Sequence, residues 1–285
     1  MGRGVLLVFV AGAVLAASGE LERARKLYNH TDYEGAVAVL QAIPDNQKDA
    51  PAHELIGRSY YMLGEFKKAT EAYELAVAAA PANSTYVHWL GKVYGRRAET
   101  SSPFTAPGYA SKARRYFEMA VQLDPRNIEA LNDLFEYYLQ APGFLGGGFD
   151  KAARLAVNIA QLDRIEGHYA QARLAEKRKE YDAAEEQLRR AVELAPMQVG
   201  RVLDLAKFLA KQGRHHESDQ AFHQAEKIAP GDPRVLFTRA ETYIRTKRNL
   251  DLARALLKRY LAQSLTPEDP SRTEAEKLLR EAGGG

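Results

Sequence analysis

The sequence predicts an all-α fold, an α-solenoid of about seven helix-turn-helix repeats closed by a C-terminal capping helix. Three observations carry that expectation. One frame of small, aromatic and apolar residues recurs along the chain, and two of its copies abut at 34 residues. Inside each copy the apolar positions lie three and four apart, in two runs long enough to be helices. Pro81, Pro125, Pro196 and Pro230 close four of the copies at the same place. A proline lacks the N–H that a helix interior needs and pushes the preceding residue out of helical geometry, so it stops the second helix on time.

Residues 1–18 read as a signal peptide. Arg3 supplies a basic start, an apolar run extends from Val5 to Ala17, and the small residues Ala16, Ala17 and Ser18 precede polar Glu20. The run of 13 residues falls short of the ~20 that a spanning helix needs. The expected product is a cleaved, periplasmic or secreted chain with no membrane insertion; an uncleaved N-terminal membrane anchor is the alternative.

Residues 19–265 hold the repeats, which start near 17, 50, 84, 128, 165, 199 and 233. The weak first copy contributes Ala24, Leu27, Tyr33, Ala36, Leu40 and Ile43. The second, counted from Ala50, has Gly57, Tyr60, Gly64, Phe66, Ala69, Tyr73, Ala76 and Pro81 at positions 8, 11, 15, 17, 20, 24, 27 and 32. The third opens with Leu90, Gly91 and Tyr94 and resumes after ten extra residues with Ala113, Phe117 and Ala120. The fourth opens with Leu131, Leu134 and Tyr138 and resumes after five extra residues with Ala152, Ala156 and Ile159. The fifth and sixth carry Ala172, Ala184, Leu188 and Ala191, then Ala206, Gly213, Phe222 and Ala225. The seventh carries Leu236, Ala240, Tyr243, Ala253 and Leu257. After Thr266 to Pro270, a Ser271-x-x-Glu274 capping box starts a last helix within residues 266–285.

Packing explains the frame. Small residues at positions 8 and 20 let two antiparallel helices approach, and larger residues at 4, 7, 11, 17 and 24 fill the space between and across repeats. Phe135 breaks the rule at position 8, which requires a splayed repeat or a smaller neighbour. Arg164 stands where the closing proline would be, so a more continuous joint is expected there.

The second copy resembles the tetratricopeptide (TPR) consensus at all eight places, and the resemblance extends over about residues 17–263. In that family positions 2, 5, 9, 12 and 13 of the first helix line a concave groove that binds partners. Position 9 here reads Arg25, Arg58, Lys92, Glu136, Arg173, Lys207 and Glu241, a column with five basic members of seven. Positions 5 and 12 add Tyr28, Tyr61, His88, Tyr169 and Phe237; position 13 adds Arg96, Lys177, Lys211 and Arg245; Trp89 lies at the edge of the same surface. Exposed aromatics among arginines are the usual makeup of an interaction hot spot, while ordinary solvated faces with basic stems over apolar surface are the bland alternative. The carboxylate clamp of chaperone cofactors is not carried over, because Glu54 with Arg58, and His88 with Lys92, stand where its lysines and asparagines would be. The expected ligand is an acidic or extended peptide along the basic column, interrupted at Asn132, Asp133 and Glu136.

The two insertions, Glu99 to Gly108 and Ala141 to Asp150, fall between the paired helices and are expected as long loops at one edge. The second resembles a PG-x-x-GG loop of bacterial secreted or envelope TPR proteins.

Composition narrows the functional classes. With 40 Lys plus Arg against 37 Asp plus Glu, the chain lacks the electropositive surface of a nucleic-acid binder. The absence of cysteine removes disulfides, thiolate metal sites and cysteine nucleophiles. Gly146 to Gly148 ahead of Lys151 lack the GK[ST] ending and the preceding strand of a phosphate loop. His215, His216 and His223 sit at packing or surface positions and do not form a predicted metal site. No catalytic constellation is marked, so neither enzymatic activity nor a cofactor is expected. The expected function is a protein-interaction scaffold or adaptor of the bacterial envelope. The alternative is a periplasmic accessory protein that binds a non-protein ligand such as an envelope polysaccharide.

Overall fold

In a computed structural model of the chain, residues 18–283 are described. All of the expected signal segment except Ser18, and the last two glycines, lie outside them. The described residues form fifteen α-helices and no strand. Backbone contacts divide the chain into two units, one up to Asp133 and one from Leu134.

The first unit contains α1 (residues 18–29), α2 (Tyr33–Gln41), α3 (Ala50–Met62), α4 (Phe66–Ala79), α5 (Ser84–Thr100) and α6 (Ala106–Leu123). Helix α7 (Ile128–Gln140) runs through the division. The second unit continues with α8 (Phe149–Leu162), α9 (Arg164–Arg178), α10 (Tyr181–Leu194), α11 (Val199–Lys211), α12 (His215–Ile228), α13 (Pro233–Arg245), α14 (Leu250–Leu261) and α15 (Arg272–Gly283). Within each unit consecutive helices pack as antiparallel pairs, and each pair rests on the next.

Local chemistry sets the helix boundaries. Asp49, Asn83 and Asn127 cap α3, α5 and α7 by accepting from the N–H three residues on, at 2.9, 3.1 and 3.0 Å. These bonds satisfy donors that have no partner inside the helix. The closing prolines work as expected: α4, α6, α10 and α12 all end two residues before one. At Arg164 the joint shrinks to a single residue. Asp163 ends α8 in extended geometry (φ −143°) and caps α9 by accepting from Ile165 N (2.8 Å) and Glu166 N (3.0 Å), so the chain breaks helix without a proline.

The turn inside each uninterrupted pair has one fixed requirement. Frame position 15 is left-handed in every one: Thr31 (φ 60°), Gly64 (75°), Lys179 (64°), Gly213 (75°) and Lys247 (52°). Glycine adopts this geometry freely, whereas the other three place a Cβ against the backbone.

The small-residue rule has a direct steric basis. A Cβ at Gly57 would lie 2.6 Å from the Tyr73 ring, and one at Gly91 would lie 2.7 Å from the Phe117 ring. Position 8 therefore faces position 24 of the partner helix. In the fourth repeat the sizes are exchanged, with Phe135 at position 8 buried to 1% exposure and fully buried Ala156 at position 24. In the register of the frame, Ala156 is the smaller neighbour that Phe135 requires.

The first insertion departs from the expected long loop. Glu99 and Thr100 extend α5, and Ala106 to Gly108 open α6, leaving only residues 101–105 outside helix. Pro107 fits because a proline in the first helical turn removes no intrahelical bond. The second insertion is a true loop. Tyr137 Oη donates to Leu145 O (2.9 Å), Lys151 Nζ to Gly146 O (2.9 Å) and Gly148 N to Tyr138 O (2.8 Å).

The C-terminal helix forms as the capping box predicts, with Ser271 Oγ accepting from Glu274 N at 3.2 Å. It buries Ala275 and Leu278 in one core with Leu236, Tyr243, Leu257 and Tyr260. Arg272 donates to Leu261 O (2.6 Å) and Gln263 O (2.8 Å), two carbonyls at the open end of α14.

Candidate functional site

In the first unit, α3 and α5 bring Arg58, Tyr61, Trp89 and Lys92 together. The periodicity that buries Leu55, Ile56, Leu90 and Val93 turns these four toward the part-exposed face. Tyr73 of α4 stacks on the Trp89 indole, with centroids 6.0 Å apart and planes within 3°. Tyr61 meets the indole edge-on at 5.4 Å. Two cations lie over the same ring, Lys92 Nζ at 4.2 Å from its centroid and Arg58 Cζ at 4.9 Å. The ring quadrupole holds both in place.

The two cations differ in what balances them. Arg58 pairs with Glu54 at 2.5 Å. Burial pushes the Glu54 carboxyl above its ordinary value, and Arg58 only partly offsets this. Burial pulls Arg58 down in turn, but the Glu54 charge and the Tyr73 and Tyr28 hydroxyls together outweigh it and leave the guanidinium above its usual range. Burial, reinforced by the Glu54 charge, drives the Tyr73 hydroxyl well up. Lys92, by contrast, makes no ion pair among the described residues and rests on the indole alone.

Three aromatics expected at the groove surface are instead packing residues. Tyr28 is 5% exposed and meets Tyr33 edge-on at 5.3 Å. His88 is 1% exposed, lies against Phe117 at 5.8 Å, and its Nε2 is hydrogen-bonded to the Asp133 carboxylate at 2.7 Å. Phe237 is 5% exposed and packs on Tyr260. Each is covered by a later helix of the stack, so none offers surface to a ligand.

Most of the basic column is occupied by the chain's own carboxylates. Arg25 pairs with Glu22 at 3.8 Å, and Arg96 pairs with Glu99 at 2.6 Å while lying over Phe66. In the second unit Arg173 takes Glu136 in a two-pronged contact, Nε at 2.8 Å and Nη2 at 3.0 Å. The hydrogen bonds it donates to Glu136 hold the Arg173 guanidinium above its ordinary range against burial. Lys211 reaches Glu176 at 2.9 Å, Lys207 reaches Asp204 at 2.9 Å, and Arg245 reaches Glu241 at 2.6 Å. Tyr169 lies under Arg201, which pairs with Glu166 at 3.2 Å. Lys177 is exposed and makes no ion pair among the described residues.

Sequence reasoning took Glu136 for an interruption of the column, whereas it is the partner of the next member. Both residues hold position 9 of successive repeats, so their contact was implicit in the frame. The pairs of Arg25, Arg58, Lys207 and Arg245 were legible as three- or four-residue helical spacings. The stacking of Trp89 on Tyr73 had no such signal, because it joins different helices.

Antiparallel helix pairs repeated on one frame, each uninterrupted pair with a left-handed turn at the same position, define a helical-repeat protein. The tetratricopeptide-repeat family model matches residues 21–84 and 169–233, so the chain carries tetratricopeptide repeats. Among solved structures it is similar to a TPR protein from Parabacteroides merdae, at 15% identity over 94% of this chain and 99% of that one, with a TM-score of 0.61. It is also similar to a thermophilic TPR protein of Thermus thermophilus, at 23% identity over 68% of this chain and 98% of that one, with a TM-score of 0.55. Comparison with curated proteins gives no match. Likeness at these identities establishes the fold.

Proposed function

We propose that the chain is a non-enzymatic scaffold or adaptor of the bacterial envelope, and that it holds an acidic or extended peptide against the α3–α5 face around Trp89. Tetratricopeptide repeats serve generally as protein-interaction scaffolds. The envelope location is supported by the three-part layout of residues 1–18. One observation carries the ligand class: Lys92 lies on a part-exposed tryptophan with no carboxylate to neutralise it, while its neighbours in the column are paired. A carboxylate of an incoming peptide would complete that charge beside an aromatic anchor.

The indole is already engaged by Tyr73, Arg58 and Lys92. That is the arrangement of a charged platform rather than of a bare ring for stacking on a sugar, so the geometry favours the peptide over the polysaccharide alternative.

Trp89 is the only tryptophan, so its fluorescence reports this face alone. Titration with a fluorescein-labelled hexaglutamate peptide should change the tryptophan emission, and a glycine-serine peptide of equal length should not. Lys92→Glu should weaken hexaglutamate binding by at least about tenfold, with helicity unchanged. Equal affinity in the variant would overturn the assignment. Lys92 is a cleaner target than Arg58, whose reversal would also strand the half-buried Glu54.

A further inference from the structure

The insertion in the third repeat builds a projection. Helices α5 and α6 have 17 and 18 residues where α3 and α4 have 13 and 14. Each is about one turn longer, which carries the hairpin end ~6 Å further out than its neighbour's. The turn at the end is hydrogen-bonded. Ser102 O accepts from Thr105 N (3.0 Å) and Ala106 N (2.9 Å), and the Ser102 and Thr105 hydroxyls meet at 3.1 Å. Phe104 at its apex is 95% exposed.

Charge is distributed around this tip in a particular way. Residues 100–111 carry none. Over residues 96–118 five cations stand against Glu99 and Glu118, and the resulting net +3 equals the net charge of the whole chain. Arg97 makes no ion pair among the described residues: it donates to Tyr109 Oη (2.6 Å) and Thr70 Oγ1 (3.2 Å) and lies over the Tyr109 ring at 4.1 Å. Lys112 lies over Tyr94 at 4.9 Å. An exposed aromatic thus caps an uncharged tip, with fixed cations a turn or two below it.

The second unit repeats the combination on different elements. Phe144 is 83% exposed at the apex of the hydrogen-bonded loop 141–148. Arg178 lies over Phe149 at 4.5 Å, which brings the end of α9 to that loop, and exposed Lys177, Arg178 and Lys179 there make no ion pair among the described residues.

We propose that the α5–α6 tip is a docking element for an anionic lipid surface, with Phe104 entering the interfacial layer and the cations beneath it facing headgroup phosphates; loop 141–148 makes the same kind of contact through Phe144. A five-residue turn offers far less than the ~800 Å² per partner that a stable protein interface buries. A bilayer needs no matching shape, accepts a protruding ring, and attracts every cation within about a Debye length, ~8–10 Å. This proposal is independent of the peptide site around Trp89.

Cosedimentation of the purified chain lacking residues 1–18 with liposomes tests it. Phosphatidylcholine vesicles should bind little. Vesicles with a quarter phosphatidylglycerol should bind the chain and release it as salt rises from about 0.05 to about 0.5 M. The Phe104→Ser, Phe144→Ser double variant, changed at exposed positions that leave helicity unchanged, should weaken binding roughly tenfold, as expected if about half of a phenylalanine's transfer energy is realised at each docking element. Phe104→Leu should retain most of it, and Lys92→Glu should retain all of it. Absence of binding to the anionic vesicles, or equal binding by the Phe104→Ser, Phe144→Ser double variant, overturns the proposal. So does binding of an acidic peptide through Phe104 with none to vesicles, which would assign the tip to an acidic protein.

Discussion

Exchanging the large and small partners of the fourth repeat makes a strong test of the packing frame. Phe135 is 1% exposed and faces a position held by Ala156, whereas the second and third repeats put Tyr73 and Phe117 opposite glycine. Phe135→Ala alone leaves alanine opposite alanine, and the loss of a buried ring with its residual cavity should cost about 3–5 kcal/mol. Ala156→Phe alone sets two rings against each other and should cost about 1–3 kcal/mol from overpacking. The double variant restores one large and one small residue, so it should recover at least about 2 kcal/mol relative to the sum of the single changes. Urea unfolding followed by circular dichroism measures this; with a slope of about 3 kcal/mol per molar, Phe135→Ala should lower the midpoint by about 1–1.7 M. If the two changes simply add, position 8 does not face position 24 in this repeat and the size-exchange argument is wrong.

Three further changes probe other links between sequence and fold. Burial raises the Glu54 carboxyl above its ordinary 4.5, so the fold prefers it protonated. The stability that preference confers is complete below about pH 4.5 and is lost as pH rises through the raised value, so Glu54→Gln should gain ground on the wild type between about pH 4 and 7; the reverse slope in urea titrations would refute the shift. Lys247→Gly relieves a left-handed lysine (φ 52°) and should raise stability by about 0.5–1 kcal/mol, whereas a lower urea midpoint would mean that contacts of the lysine side chain outweigh the strain of its turn. At Gly147 a Cβ would lie 1.8 Å from Ala141 O. Gly147→Ala should therefore dislocate the loop and speed amide exchange at Gly148, whose N–H is bonded to Tyr138 O; unchanged protection there would count against the clash.

The frame was legible because its determinants are local. A small residue where helices touch, an aromatic opposite and a proline at the end each leave a mark in the sequence. The left-handed turn was legible at Gly64 and Gly213 and hidden at Thr31, Lys179 and Lys247, where the geometry is the same and the residue is unfavourable. The first insertion looked like a loop because its two prolines and a glycine mark turns, yet Pro107 and Gly108 sit in the first turn of α6, where proline is tolerated. Surface and interior were harder to separate at position 5. His88 and Phe237 carry the polarity and bulk of contact residues, but whether the next helix covers that position depends on how closely the repeats stack. Pairings between repeats, such as Arg173 with Glu136, need that same register before they can be seen.

The lengthening of α5 and α6 also has an angular consequence. Each residue added to a helix rotates the rest of the hairpin by about 100°, so four extra residues in α5 carry the tip round by about 40° beyond a full revolution. An extension of two residues would have swung Phe104 to another side, and one of seven would leave it within about 20° of the starting direction, ~10 Å further out. Changes in the length of this hairpin therefore act as a dial as well as a ruler. Deleting one residue from Arg96 to Thr100 should disturb whatever the tip touches more than deleting a whole turn.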